Sequence, residues 1–167
     1  MNSRMIEFYM KVAQQAGLLS RAERLQVGSV IVKDDNIISF SWNGQPSGWD
    51  NVCEDKVYMS ADAGGWLDPS EIEEQWPYRD DNGRYALKTK PTVLHAETNA
   101  LSKLAKYNGG GLGASIFVTH SPCLPCALSI HQAGITDVYF AEHYRDTAGI
   151  DFLTECGIIV RQVSLGK

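Results

Sequence analysis

The chain has 167 residues, 44% of them hydrophobic and 21% charged, with a formal net charge of -5 and a sequence pI of about 5.3. That balance suits one globular domain with a single core, and no apolar run approaches the roughly 18 residues that crossing a bilayer needs, so no membrane is expected as a partner. An acidic chain without a dense Lys/Arg cluster also argues against a binder of duplex nucleic acid or tRNA, which usually presents a basic face, while leaving room for a local basic pocket for one nucleotide phosphate.

In chain order, Met5, Phe8, Tyr9, Val12, Ala13 and Ala16 recur at helical spacing, and Gly17 is a stop signal. Glu7 and Lys11 interrupt this stretch, unlike the apolar core of a secretion signal, so the expected location is the cytoplasm. Val27 to Lys33 and Ile37 to Trp42 read as a hairpin linked by Asp34-Asp35-Asn36, and Asn43-Gly44 ends the second strand. Both residues of that last pair tolerate positive φ. From Trp49 to about Pro91 the periodicity dissolves into a Gly-, Asp- and aromatic-rich stretch. We read it as a long insertion, about 49–91, in a single domain of residues 1–167, with Asp68-Pro69-Ser70-Glu71 capping one short helix. A loop this long in a compact domain is usually functional or mobile.

Regularity returns at His95. Ala96 to Lys106 reads as a helix stopped by Asn108 and a glycine run, Ala114 to Thr119 as a strand, and Cys123 to Gln132 as a helix closed by Gly134. A strand at Thr136 to Phe140, a helix at Thr147 to Cys156 and a last strand at Ile158 to Val163 follow. Helices alternating with strands imply parallel strands with crossover helices. The expected fold is α/β, a three-layer α/β/α sandwich around a central five-stranded mixed sheet.

Two segments carry chemistry: His95-Ala96-Glu97, and Ser121-Pro122-Cys123-Leu124-Pro125-Cys126. Each sits where the chain enters a helix. Cys123 and Cys126 are about one helical turn apart, so both thiols face the same way, and a helix N-terminus favours the thiolate form that zinc binds. With His95 the set is one imidazole and two thiolates. Three protein ligands leave a fourth tetrahedral position for water, the layout of a catalytic zinc. Glu97, two residues after the histidine, is placed to exchange protons with that water. A lone C-x-x-C also fits a redox pair or half a zinc ribbon; the ordered combination with H-A-E is what points to a catalytic site. His120, His131 and His143 read as surface or packing residues, Cys156 as a core thiol, and Cys53 as an improbable fourth ligand.

H-x-E followed by P-C-x-x-C is the zinc-deaminase signature, and the chain resembles the cytidine and deoxycytidylate deaminase superfamily. The resemblance runs from about Gln26 to Val160, through Val27-Gly28-Ser29-Val30-Ile31-Val32, Ser41-Trp42-Asn43-Gly44-Gln45-Pro46-Ser47-Gly48, His95-Ala96-Glu97-Thr98-Asn99-Ala100, Ser121 to Ala127, and Gln132-Ala133-Gly134-Ile135 with Tyr139. Asn43-Gly44 with the following proline and glycine, and His95 to Ala100, are similar to the deoxycytidylate branch. What the resemblance implies is a cytidine-deaminase-like fold hydrolysing dCMP to dUMP and ammonia, for dTTP synthesis, on one zinc per chain. Glu97 then carries protons, Asn43, Ala96, Ser121 and Tyr144 line the substrate pocket, and Trp42, Asn43 and Gly44 form an effector site. It further implies a homohexamer activated by dCTP and inhibited by dTTP, with Mg2+ accompanying a triphosphate effector. Nucleic-acid, free-nucleoside and free-base deaminases, or a zinc-stabilised binding module, are the competing readings.

Two departures from the family pattern bear on this. Trp42 stands where the family has Tyr and Ser41 where it has Gly, which touches effector control. Between Trp49 and Leu94 there is one cysteine and no histidine, so the extra structural zinc of some viral relatives is not expected. Trp76-Pro77-Tyr78-Arg79 is similar to an aromatic-arginine stretch of cellular relatives, which suits a nucleotide and equally an exposed loop anchored by aromatics.

Overall fold

The computed structural model describes residues 1–107 and 109–164; the expected stop at Asn108 lies outside them. Helix α1, Ser3–Gly17, opens on Asn2, whose side chain accepts the Met5 N–H, and buries Tyr9, Met10, Ala13 and Ala16 along one stripe. Strand β1, Gly28–Lys33, is buried along nearly its whole length and turns into β2, Asn36–Trp42, through Asp34 and Asp35. Those two residues hold φ of 49° and 58°, the paired left-handed conformation of a tight hairpin. The Tyr9 hydroxyl donates to the Asp35 carbonyl at 2.6 Å and ties α1 to that turn.

After the insertion come α3 (Ala96–Tyr107), β6 (Ser115–His120), α4 (Leu124–Gln132), β7 (Asp137–Glu142), α5 (Ala148–Glu155) and β8 (Ile159–Gln162). The five-stranded sheet has order β2-β1-β6-β7-β8. β1 runs antiparallel to β2 and β6, whereas β6, β7 and β8 are parallel, so the sheet is mixed as expected. Tyr9, Met10 and Ala13 of α1 pack on one face against Val30, Phe117 and Tyr139. Ala100 and Leu104 of α3, Ile130 of α4 and Leu153 of α5 pack on the other against Ile31, Ile116 and Val138. The three layers are therefore α1, the sheet, and α3 with α4 and α5. β1 approaches α1 so closely that a Cβ on Gly28 would lie 1.9 Å from the Ala13 carbonyl oxygen.

The stretch read as unpatterned holds an antiparallel sheet of order β3-β5-β4: Glu54–Tyr58, Gly83–Thr89 and Tyr78–Asp80. Its strands lack an alternating apolar face because most of their residues remain partly or fully exposed. Aromatic and ionic pairs hold it together instead. Tyr85 packs on Tyr58 and Tyr78 at 5.6 and 5.5 Å, and Lys56 pairs with Asp80 at 2.7 Å. The short helix is present as α2, Pro69–Gln75, with Asp68 and Glu71 forming a reciprocal cap. Trp76-Pro77-Tyr78-Arg79 leads from that helix into strand β4.

The Asn43-Gly44 pair departs from expectation. Neither residue has positive φ. Gly44 instead forms an isolated antiparallel bridge with Leu94, with Gly44 N–H to Leu94 O at 3.1 Å and Leu94 N–H to Gly44 O at 2.9 Å. The pair is a clamp, not a left-handed turn. Cys156 is also corrected: it is exposed, not a core thiol. It caps α5, and the chain turns away at Gly157 with φ 77°, so the apolar pattern ends at Leu153, which is fully buried.

Candidate active site

Register brings four segments to one end of the sheet. Trp42 at the close of β2 pairs with Gly28 at the opening of β1, Ser29 pairs with Val118 of β6, and His120 pairs with Glu142 at the end of β7. The ends of β2, β6 and β7 and the start of β1 thus meet beside the point where strand direction switches, the usual place for a site in an open α/β sheet. A cleft of about 250 Å³ opens there, lined by Asn43, His95, Ala96, Glu97, Ser121 and Tyr144 among others. It lies just below the range of roughly 300–1,000 Å³ usual for ligand pockets, and so suits a small ligand.

His95 precedes α3 and its carbonyl accepts the Asn99 N–H, the hydrogen bond that starts the helix. Cys123 is the N-cap of α4, and Cys126 lies in its first turn behind Pro125. Two helix N-termini therefore deliver all three side chains to one point. His95 Nδ1 is 3.5 Å from Cys123 Sγ and 3.3 Å from Cys126 Sγ, and the three ligand atoms lie within 4.8 Å of one another. Tetrahedral zinc with bonds of about 2.0–2.1 Å to nitrogen and 2.3 Å to sulfur sets adjacent N and S atoms about 3.5 Å apart. The donor set and its spacing fit zinc. Cys53 does not join the group: it is buried, with its thiol 3.8 Å from the Asn51 carbonyl.

The electrostatics agree with a site made for a cation. A hydrogen bond from Cys126 holds the Cys123 thiol well below the ordinary range, while that shared bond and burial push Cys126 up. A divalent ion beside the pair would favour the thiolate form of both. The hydrogen bond to Cys123 raises His95. Glu97 is 4% exposed, and burial pushes its carboxyl up to about 7. Such a carboxyl both accepts and releases protons near neutrality.

Asn43 is more engaged than the sequence suggested. Its amide donates to the Leu25 carbonyl and accepts from the Val27 N–H, both at 2.8 Å. One N–H and one lone pair remain for a ligand. Ser121 accepts the Tyr144 N–H at 2.8 Å and so sets the loop that carries Tyr144. Trp42 and Gly44 lie outside the cleft lining; Lys103 Nζ sits 4.7 Å from the centre of the Trp42 ring. His120, read as a surface or packing residue, lines the cleft with its imidazole 3.5 Å from the Glu142 carboxylate. Arg24, Glu54, Thr89 and Arg145 also line it without having been singled out. They come from separated segments, and no local motif marks them.

α5 sets the cysteine loop from behind. Gly149 is buried, and a Cβ there would lie 2.1 Å from the Pro122 carbonyl oxygen and 2.9 Å from the Cys123 carbonyl carbon. Backbone cannot swing aside as a side-chain tip can. Gly149→Ala is expected to lose about 1–3 kcal/mol of stability and to retain zinc poorly, as melting temperature and metal content of the purified variant would show. Unchanged values of both refute this role.

Three comparisons with known proteins bear on this arrangement. The profile of the cytidine and deoxycytidylate deaminase zinc-binding region matches residues 3–142. ComE operon protein 2 of Bacillus subtilis is 31% identical over 162 residues, covering 96% of this chain and 72% of that protein. The deoxycytidylate deaminase of Enterobacteria phage T4 is 32% identical over 176 residues, covering 91% and 88%. Among solved structures, the dCMP deaminase of cyanophage S-TIM5, crystallised with dCMP and dUMP, superposes with a TM-score of 0.75 at 35% identity, covering 98% of this chain and 99% of that one.

Proposed function

The chain belongs to the cytidine and deoxycytidylate deaminase zinc-binding family, and from that premise we propose that it hydrolyses dCMP to dUMP and ammonia. The observation that carries this is the convergence of three zinc-ligand atoms and the buried Glu97 carboxyl on one small cleft. Relatives named deoxycytidylate deaminase over most of the chain support the choice of substrate.

His95 Nδ1 and the thiolates of Cys123 and Cys126 would hold the ion. When bound, zinc supplies a Lewis acid that lowers the pKa of water toward about 7. Glu97 takes a proton from the attacking water and delivers it to N3 of the cytosine ring as C4 is attacked; it then carries the second water proton from the new C4 hydroxyl to the amino group, so that the C4–N bond breaks, ammonia leaves and a C4 carbonyl remains. The N–H groups of Ala96 and Cys123 lie at helix starts, where backbone donors lack intrahelical partners, and would donate to the polar edge of the ring.

Ammonia release from dCMP, deoxycytidine, cytidine, dCTP and a cytosine-containing oligonucleotide tests the proposal. Turnover of dCMP above the others is expected. Turnover of the oligonucleotide without turnover of dCMP overturns it in favour of a nucleic-acid deaminase.

The proposal extends to a cytoplasmic homohexamer in dTTP synthesis, activated by dCTP and inhibited by dTTP. Thiolate ligands call for a reducing compartment. The Trp42 patch, with Phe40 and the Lys103 ammonium beside it, supports an effector site, and the Gly44–Leu94 bridge joins that patch to the residue before His95. The groove beside it is lined by Ile37, Ile38, Ser39, Phe40, Lys103 and Tyr107. Its lining offers no carboxylate for Mg2+. Trp42→Ala is expected to change the response to dCTP and dTTP more than turnover at saturating dCMP. Wild-type rate curves indifferent to both nucleotides refute the regulation.

A further inference from the structure

Glu54 is a carboxylate in the cleft that the proton chemistry does not use. It opens β3, a strand whose remaining residues are exposed, yet Glu54 itself is 7% exposed. Its oxygens accept the Glu23 and Arg24 N–H groups at 3.3 and 3.4 Å, both long. An ionised carboxylate only accepts hydrogen bonds and has about four lone-pair positions, so Glu54 keeps acceptor capacity toward the cleft. Across the ladder it pairs with Thr89, whose hydroxyl accepts from the Arg24 guanidinium at 3.1 Å. Arg24, Glu54 and Thr89 all line the cleft, and among the described residues neither Arg24 nor Glu54 forms an ion pair.

The three groups in the cleft differ in burial and in charge. Buried Glu97 serves the base, buried Glu54 offers an acceptor, and exposed Arg24 offers a fork of donors. A deoxynucleoside monophosphate presents the matching series: a ring, one sugar hydroxyl and a phosphate. A carboxylate suits a hydroxyl donor, and a guanidinium suits a phosphate. We propose that Glu54 accepts the sugar 3′-hydroxyl of the substrate and that Arg24, held by Thr89, receives its 5′-phosphate. On this account the insertion supplies the specificity wall of the active site. The proposal rests on the dCMP reading.

The test measures kcat/KM for ammonia release by the zinc-loaded full chain from dCMP, 2′,3′-dideoxycytidine monophosphate and deoxycytidine. A hydrogen bond to a charged group predicts that the wild type prefers dCMP over the dideoxy analogue by about 10–100-fold. Glu54→Ala is expected to bring that ratio to about one while keeping zinc. Arg24→Ala is expected to reduce the preference for dCMP over deoxycytidine and to leave the dideoxy ratio in place. A purely structural role for Glu54 lowers both rates and leaves their ratio unchanged, which overturns the proposal. Glu54→Gln keeps an acceptor for the Glu23 and Arg24 N–H groups and is the arm to read if the alanine variant does not fold; it too is expected to narrow the ratio, and an unchanged ratio overturns the assignment. A wild type that turns over both monophosphates alike sinks this inference but leaves the dCMP reading standing. A wild type inactive on dCMP sinks both.

Discussion

Glu97→Gln is expected to bind a full equivalent of zinc and to lose at least about 10²–10⁴ of the turnover, the usual contribution of a general acid–base group. The amide keeps the shape of the carboxyl and cannot move a proton. Glu97 lines the cleft from the first turn of α3 and is buried there, so the substitution removes an ionisable group from a buried position and leaves the surrounding packing intact. Stability is expected to hold or to rise, because burial already disfavours the charged form. Metal analysis beside single-turnover kinetics checks both halves. Near-normal turnover in a zinc-replete variant refutes the assigned role.

Cys123→Ala and Cys126→Ala are expected to lose both zinc and activity, whereas Cys53→Ala and Cys156→Ala keep the metal. Removing one of three protein ligands leaves a site with two, and even partners that only orient a ligand typically cost 10–100-fold in metal affinity. Cys126 is 1% exposed and lies 3.3 Å from His95 Nδ1, so alanine there also leaves a small void under the ligand set. Cys53 is buried away from the group and Cys156 is exposed. Metal content of the four purified variants decides the matter: zinc loss on replacing Cys53 would mean the ligand set is wrong.

The His95, Cys123 and Cys126 cluster was legible because it comes as two short motifs, each read at the start of a helix, so that local spacing already orients the side chains. The sheet was legible for a similar reason. β1 and β6 each centre on three consecutive buried apolar residues, and helices with an apolar stripe separate the parallel strands. What stayed hidden depends on contacts between distant segments or on surfaces without contrast. The strands of the insertion pair through backbone and tyrosine packing, with little apolar alternation to reveal them. Cys156 follows Phe152 and Leu153 and shares their pattern on paper, but the helix ends beneath it. Arg24, Glu54 and Thr89 converge only when the loop before β1 meets the insertion. Gly44 has the composition of a turn and the geometry of a bridge, and only Leu94, fifty residues on, decides which.

That bridge makes residues 45–93 a closed excursion. Two hydrogen bonds fasten its ends together at the base, directly before His95. The entropy of closing such a loop grows only with the logarithm of its length, so doubling it costs only about 0.6 kcal/mol. Beyond the clasp, chain can be added, shortened or exchanged with little consequence for the sheet beneath. The metal-binding part is bound to its geometry, while the segment that would tell one substrate from another behaves as a replaceable cassette. In such an architecture new specificities arise by trading the cassette, with the catalytic chassis left as it was.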